Sequence, residues 1–243
     1  MNYEASISDF FKAPQWKNNL LLGAVTFLIP VVGPLVLAGW HATCLWSRGD
    51  HDDPSGYPPF DFHYFTKYLE RGLWPFLVAM VSMFVLIPLM MLVFMPLMFM
   101  MISMEPSHGH GSEAAYIAMI VGMCVLEIFL MAGIQFVLTP LQLRATITQD
   151  FKAAFDFQFA KNFIKATWKE QLVSLAFMFG VMLCAMVITI ITCYIGMFVA
   201  MPLVAFAWAH LHRQFYRLYL SRGGEAVPLS AKLYDLPPPL PLG

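Results

Sequence analysis

Long apolar runs alternate with short polar segments along the chain, and these runs predict its helices. After a first apolar run, four more follow: Trp74–Ser103, Ala114–Thr139, Leu172–Thr192 and Tyr194–Ala209. A helix that crosses a bilayer needs about 20 apolar residues. The last run reaches this length if its helix continues toward Leu220. The pattern therefore predicts an all-α, polytopic helical membrane bundle with four full spans.

The first apolar run, Asn19–Trp46, is different because Pro30, Gly33 and Pro34 interrupt its middle. Proline removes a backbone donor and disfavours helix at the residue before it. Each of the two arms is long enough to reach about half the depth of a bilayer, at about 1.5 Å per residue. We expect either a re-entrant helical hairpin or one tilted, kinked span.

The basic residues are distributed unevenly, which bears on this choice. All 14 Lys and Arg lie in four polar segments, whereas residues 104–113 and the turn at 193–196 contain none. Cytoplasmic loops of membrane proteins are enriched in Lys and Arg. If every basic segment is cytoplasmic, the first run enters and leaves on the same side, which favours the hairpin. The expected location is the cytoplasmic (inner) membrane, with both termini in the cytoplasm.

Three segments carry aromatic residues on one helical face and charged residues on the others: Ser6–Lys17, Phe60–Arg71 and Phe151–Lys169. This arrangement is typical of helices that lie in the headgroup region of a membrane. They are expected to anchor the loops at the interface, or alternatively to form a lipid-sensing or partner-docking surface. We expect one transmembrane domain at 1–225, followed by a Pro-rich cytoplasmic tail at 226–243.

The composition agrees with a membrane protein and excludes other classes. Hydrophobic residues make up 59% of the chain and charged residues 12%, about half the fraction found in ordinary globular domains. Disordered chains are poor in apolar residues, which excludes extensive disorder. The net charge of −1 gives no basic surplus for nucleic acid, so no such partner is expected.

Several short motifs, in order, resemble a known family. The segments are residues 16–23 (WKNNLLLG), 28–33 (LIPVVG), 193–196 (CYIG) and 209–217 (AHLHRQFYR). Together they are similar to a prokaryotic membrane family known only as domain-of-unknown-function family 4013, over most of residues 14–220. The resemblance implies a polytopic helical membrane protein and no known activity.

Glu127 is the one formally charged residue well inside a predicted span. A central acid costs a few kcal/mol on insertion scales, so it must face the bundle, be protonated or line water. Two interpretations are open. Glu127 could form a proton or cation site, or it could be a protonated structural group, with Gln135 two turns along the same face.

Two further groups have candidate roles at the membrane surface. His210, His212 and Arg213 lie where the last span ends, and they suit phosphate headgroups or a partner by charge and hydrogen bonding. The same contact is expected of three lysines on the third amphipathic segment: Lys161, Lys165 and Lys169.

Metal chemistry is only weakly indicated. Thioethers and imidazoles bind Cu(I), and a conceivable copper site combines Met95, Met98, Met101, His108 and His110. Methionine is also the usual filler of irregular apolar packing, so we expect packing here. No metal and no cofactor is predicted.

The chain contains no catalytic motif that we recognise, so we expect no enzyme activity. The leading hypothesis is a membrane scaffold or accessory subunit that organises lipid, a partner protein or further copies of itself at the cytoplasmic face. The main alternative is a small transporter or channel with its ion site at Glu127. A membrane enzyme acting on lipid is the third possibility.

Overall fold

The computed structural model describes residues 1–47, 53–103 and 110–235, and within these parts the chain is helical, without strands. The helices are α1 (Tyr3–Lys12), α2 (Trp16–Phe27), α3 (Val32–Trp46), α4 (Phe65–Ser103), α5 (His110–Thr148), α6 (Phe151–Ala154), α7 (Phe157–Ile191) and α8 (Ile195–Ser221). Four of them, α4, α5, α7 and α8, are long and apolar enough to cross a membrane. The predicted all-α class is confirmed, and the four predicted spans correspond to these four long apolar helices.

Local sequence explains where several helices begin. The side chain of Asn2 accepts a hydrogen bond from the backbone N–H of Ala5 at the start of α1, and Asp156 accepts one from Phe159 at the start of α7. Such caps satisfy backbone donors that the first helical turn leaves unpaired. Between α7 and α8 the chain reverses within Cys193 and Tyr194, both of which have positive φ angles.

The break around Pro30 separates α2 from α3, and the two helices pack against each other. Gly23 lies beside Leu37, and Gly33 lies against the backbone of Thr26, where a side chain would not fit. Pro34 falls in the first turn of α3, a position that tolerates the missing N–H. The first apolar run is therefore two helices in contact and not one continuous helix.

Helices α3 and α4 cross at two glycines. A Cβ atom built on Gly39 would lie 1.8 Å from the carbonyl oxygen of Tyr68, and one built on Gly72 would lie 1.8 Å from that of Leu35. Only glycine permits this approach of two backbones. The contact places α3 at the centre of the protein, with 12 of its 15 residues buried.

The packed core lies at the end of the bundle where α4 and α7 begin and where α3, α5 and α8 end. Phe10, Trp40, Phe60 and Phe206 form a chain of edge-to-face aromatic contacts with centroids 5.2 to 6.1 Å apart. Helix α1 lies across this core, and Phe10 is part of it. We call this part of the protein the packed end.

This core corrects the interpretation of the three amphipathic segments. Phe10, Tyr68 and Phe163, one from each segment, are buried among other side chains of the protein. The prediction that these aromatic faces lie in lipid headgroups is wrong for them, because other helices cover them. A minority of the aromatic residues, including Phe157 and Trp168, remain exposed.

The opposite end of the bundle is apolar and open. Along the outer parts of α4 and α5, side chains such as Phe84 and Phe129 are each 71% exposed. The tip of the α2–α3 hairpin is apolar as well, with Leu28, Ile29 and Val31 exposed. Apolar surface of this extent is unusual on soluble proteins and is what lipid-facing helices present.

The chain after α8 packs onto the bundle as far as residue 235. Val227 and Leu233 are buried, and the backbone N–H of Ser230 donates to the carbonyl of Ile147 on α5. Arg71, which is 2% exposed, donates hydrogen bonds to Thr43 and to two carbonyls of this segment. Residues 227–235 of the expected tail therefore pack against the bundle. Residues 236–243 lie outside the described part of the chain.

Candidate functional site

A cavity of about 240 Å³ lies between α3, α4, α5 and α8, and it is partly open to the outside. Two histidines line it: His41 from the middle of α3 and His212 from α8. The close contact of Gly39 and Gly72 between α3 and α4 holds α3, which carries His41, in place. Phe206 packs against His41, with ring centroids 5.5 Å apart, and this contact joins α3 to α8.

Both imidazoles are enclosed and incompletely paired. His41 is 1% exposed and His212 is 8% exposed, and within the described residues neither Nε2 atom has a hydrogen-bond partner. Burial lowers the pKa of His41 to about 3, so this ring is neutral at neutral pH. A neutral imidazole can donate at one nitrogen and accept at the other. Unpaired buried nitrogens are costly, and they are therefore uncommon without a ligand, ion or water.

The remaining walls of the cavity are mostly apolar. Trp46, Phe76 and Trp208 contribute aromatic surface, and small residues such as Ala38 and Ala79 leave the space open. The other polar lining residues are two on α5, Gln142 and Thr146. No Asp, Glu, Lys or Arg is among the lining residues in the described parts of the chain. The cavity therefore has an uncharged, largely apolar lining in the described residues.

Polar contacts also connect α1 to α8. Oδ2 of Asp9 lies 3.3 Å from Nε2 of His210, and Oδ1 of the same carboxylate accepts a 2.7 Å hydrogen bond from Lys12. The side chain of Gln214 bonds both backbone groups of Asn2. This junction positions His210 as a link between helices.

The predicted headgroup contact of His210, His212 and Arg213 is therefore wrong, because all three side chains are buried. His210 lies beside Asp9 of α1, and His212 lines the cavity that α3 also borders. Polar residues follow an apolar run both where they face lipid headgroups and where they face other helices, so the sequence pattern alone does not separate the two.

The lysines of α7 do face outward. Lys161, Lys165 and Lys169 are exposed and follow one another at four-residue intervals, which places them on one face. Within the described residues they form no ion pair. Trp168 is exposed beside them, and Nζ of Lys169 lies 5.5 Å from the centroid of its ring. We call this surface the basic face of α7.

A scan against family sequence models matches the family described as "Protein of unknown function (DUF4013)" over residues 22–194. The chain belongs to the DUF4013 family. The search of curated proteins and the search of solved structures gave no match. The DUF4013 match includes His41 and the basic face of α7, and it ends at the turn before α8, which carries His212.

The structure places Glu127 in a second cavity, of about 350 Å³, between α4 and α5. Met90, Phe94 and Met98 line it from α4, and Glu127 is exposed there. Gln135 is partly buried and is not among the lining residues, so the structure does not bring the two predicted polar residues together at this cavity.

The weak copper candidates are not assembled by the described residues. Met95 and Met98 are exposed on α4, whereas His108 and the side chains of Met101 and His110 lie outside the described part of the structure. Across residues 1–47, 53–103 and 110–235, no group of three or more His, Cys, Asp or Glu could hold a metal ion.

Sequence reasoning did not identify His41 as a site residue, nor Arg71 as the anchor of the C-terminal segment. A signal for His41 was present, since it is a polar residue inside an apolar arm bordered by Trp40 and Trp46. Arg71 lies on a segment whose polar face was expected to meet solvent.

Proposed function

We propose that this DUF4013 protein is a non-catalytic membrane scaffold or accessory subunit, which gathers anionic lipid at the cytoplasmic face of the inner membrane. The observation that carries the proposal is the basic face of α7. Three exposed lysines without ion pairs, beside an exposed Trp168, provide charge and an interfacial anchor at the same site. Each Lys near an anionic membrane surface contributes about 1 kcal/mol of attraction. Through the lipid it gathers, it would also hold a partner protein or further copies of itself.

The distribution of charge supports the proposed orientation. The helix ends that carry Lys and Arg are linked to each other at the packed end: Arg144 to Asp156, Arg222 to Glu170, and Gln149 to the backbone of Arg71. Basic residues concentrate on the cytoplasmic side of membrane proteins. The packed end and both termini would then be cytoplasmic.

In this orientation the α2–α3 hairpin would be re-entrant. Both of its ends are at the packed end, and its exposed apolar tip reaches the level of Phe198, whose ring centroid lies 6.4 Å from that of Phe27. An apolar tip at that depth would contact lipid, whereas the buried α3 arm contacts only protein.

The lipid proposal is tested by co-purification. The protein is reconstituted in nanodiscs of mixed phosphatidylcholine and phosphatidylglycerol, and the lipids retained after gentle delipidation are counted by native mass spectrometry. Replacing Lys161, Lys165 and Lys169 by Gln removes about 3 kcal/mol of attraction, or about two orders of magnitude in affinity. We expect loss of the retained phosphatidylglycerol.

The chain offers a matched control with the same change of net charge. Lys12, Lys67 and Lys232 each form an ion pair, at 2.5 to 2.7 Å from a carboxylate. Their triple replacement by Gln is expected to keep the retained lipid. Equal loss in the two triple variants would show that net charge, and not the basic face of α7, attracts the lipid.

The second candidate is a small transporter or channel, favoured by the position of Glu127 in the cavity between α4 and α5. Proteoliposomes loaded with a pH-sensitive dye report proton flux directly. A flux that Glu127→Gln abolishes would support transport over the scaffold. No flux above that of empty liposomes would reject the proton pathway.

A further inference from the structure

We propose that a second copy of this chain packs against the exposed face of α5 around Glu127, so that two copies form a parallel, two-fold dimer in the membrane. The contact is direct, and it therefore goes beyond the lipid-gathering role and does not depend on it. The proposal rests on a carboxyl group that its own chain leaves without a polar partner, and on the pattern of exposed side chains around that group.

Glu127 needs a polar partner. It is exposed in the apolar outer part of α5, and within the described residues it forms no hydrogen bond and no ion pair. The side chains that share its cavity are those of Met, Phe, Ile and Cys. The acyl chains of lipids offer no hydrogen-bonding group, so the exposure of this acid to lipid is costly. The surface that covers Glu127 therefore carries hydrogen-bonding atoms.

The exposed side chains on both sides of Glu127 have the spacing of a helix-packing seam. Ile117, Ile120, Cys124, Glu127 and Met131 are all exposed, and they follow one another at alternating intervals of three and four residues. This spacing keeps side chains on one face of a helix, and it is the repeat by which two long helices pack side by side. We call these five residues the α5 seam. One further helix would cover it.

A second copy fits this seam because Glu127 can pair with itself. Copies of one membrane protein have the same orientation in a bilayer, so a two-fold axis along the membrane normal makes their α5 helices parallel. In such a contact a residue near the axis meets the same residue of the other copy. A protonated carboxyl has one donor and also accepts, so two Glu127 side chains satisfy each other. One polar residue in an apolar seam also specifies register and the number of helices.

Cross-linking of the full chain in liposomes tests the contact. Cys184 and Cys193 are also exposed, so both are replaced by Ser, which leaves Cys124 and the buried Cys44 as the remaining thiols. Oxidation with copper phenanthroline should then join two chains through Cys124, because Cys124 lies on the α5 seam one helical turn from Glu127.

Two positions of similar exposure separate a specific contact from random collision. Met131 is 51% exposed on the α5 seam, and Val125 is 46% exposed on the other side of the helix. With Cys124 also replaced by Ser, Met131→Cys should restore the cross-linked dimer, whereas Val125→Cys should not. The proposal is overturned if Val125→Cys cross-links as fast as Met131→Cys.

The role of the carboxyl is tested by counting subunits in single liposomes over a series of protein densities. Glu127→Leu removes the polar pair and should weaken the dimer about five- to thirtyfold, as expected for an interhelical hydrogen-bonded contact in a membrane. Glu127→Gln keeps a donor and an acceptor, and it should dimerise as the unmodified chain does. A chain that is monomeric at every density, or a Glu127→Leu variant that dimerises unchanged, would overturn the proposal.

Discussion

The crossing of α3 and α4 gives the sharpest prediction about stability. Replacing Gly39 by Ala places a methyl group where the carbonyl oxygen of Tyr68 is only 1.8 Å away. A carbon and an oxygen that are not bonded need about 3.3 Å. The two helices must therefore move apart by about 1.5 Å, or one of them must bend.

The cost is expected at the upper end of the range for overpacking. Such substitutions destabilise by about 1–3 kcal/mol when a side chain can move aside, and here the neighbour is backbone in a long helix. We expect about 3 kcal/mol. At about 2–4 °C per kcal/mol for a chain of this size, the apparent melting temperature should fall by about 6–12 °C.

The measurement is thermal unfolding in detergent, followed by intrinsic tryptophan fluorescence. Gly122→Ala is the matched control, because a Cβ on Gly122 meets no atom within 4 Å. Alanine in place of glycine inside a helix gains about 0.5–1 kcal/mol, so the control should unfold at a slightly higher temperature. If Gly39→Ala and Gly122→Ala shift the transition in the same direction, the close crossing does not hold α3 in place.

Three other outcomes are expected. Arg71→Leu removes the donor that holds residues 227–235, and limited proteolysis should then cut this segment faster; an unchanged cutting rate would contradict its role. Because burial lowers the pKa of His41 to about 3, the unfolded chain binds one more proton than the folded chain between pH 6.5 and about 3. Stability from this source is complete above pH 6.5 and falls by about 1.4 kcal/mol per pH unit below it. His41→Phe should lessen the slope of the unfolding free energy against pH by this amount in denaturation at several pH values, and an unchanged slope would contradict the role of His41. In intact cells, an impermeant maleimide should label Cys193 in the α7–α8 turn and spare the buried Cys44; labelling of Cys193 only after permeabilisation would reverse the proposed orientation.

The four long apolar helices were predictable because their signal is local. A run such as Leu172–Thr192 is apolar on every side, and only a bilayer or a large core accommodates such a helix. The turn after Phe27 was equally local, since Pro30 and Gly33 constrain their own backbone. The close agreement of these elements with the structure follows from sequence features that need no knowledge of distant neighbours.

The packed end was harder to predict because its contacts are between residues distant in sequence. The helical period shows that Phe163 and Tyr68 each lie on an aromatic face of their own segment. The period is the same whether such a face lies in a headgroup region or in a protein core. The cavity depends on α3 and α8 together, and neither His41 nor His212 has a neighbour in sequence that signals the other. Arg71 likewise acquires its role from a segment some 160 residues further along the chain.

The central position of α3 has a consequence for biosynthesis. The helices that bury it, α4 and α8, are translated after it, and the segment around Phe206 follows His41 by roughly 10–30 s at about 5–20 residues per second. During that interval the imidazole of His41 lacks the ring of Phe206 that later packs against it. A nascent chain that stalls before α8 would keep this surface open to insertion factors and membrane proteases, so completion of the last span is also the step that hides the chain from quality control.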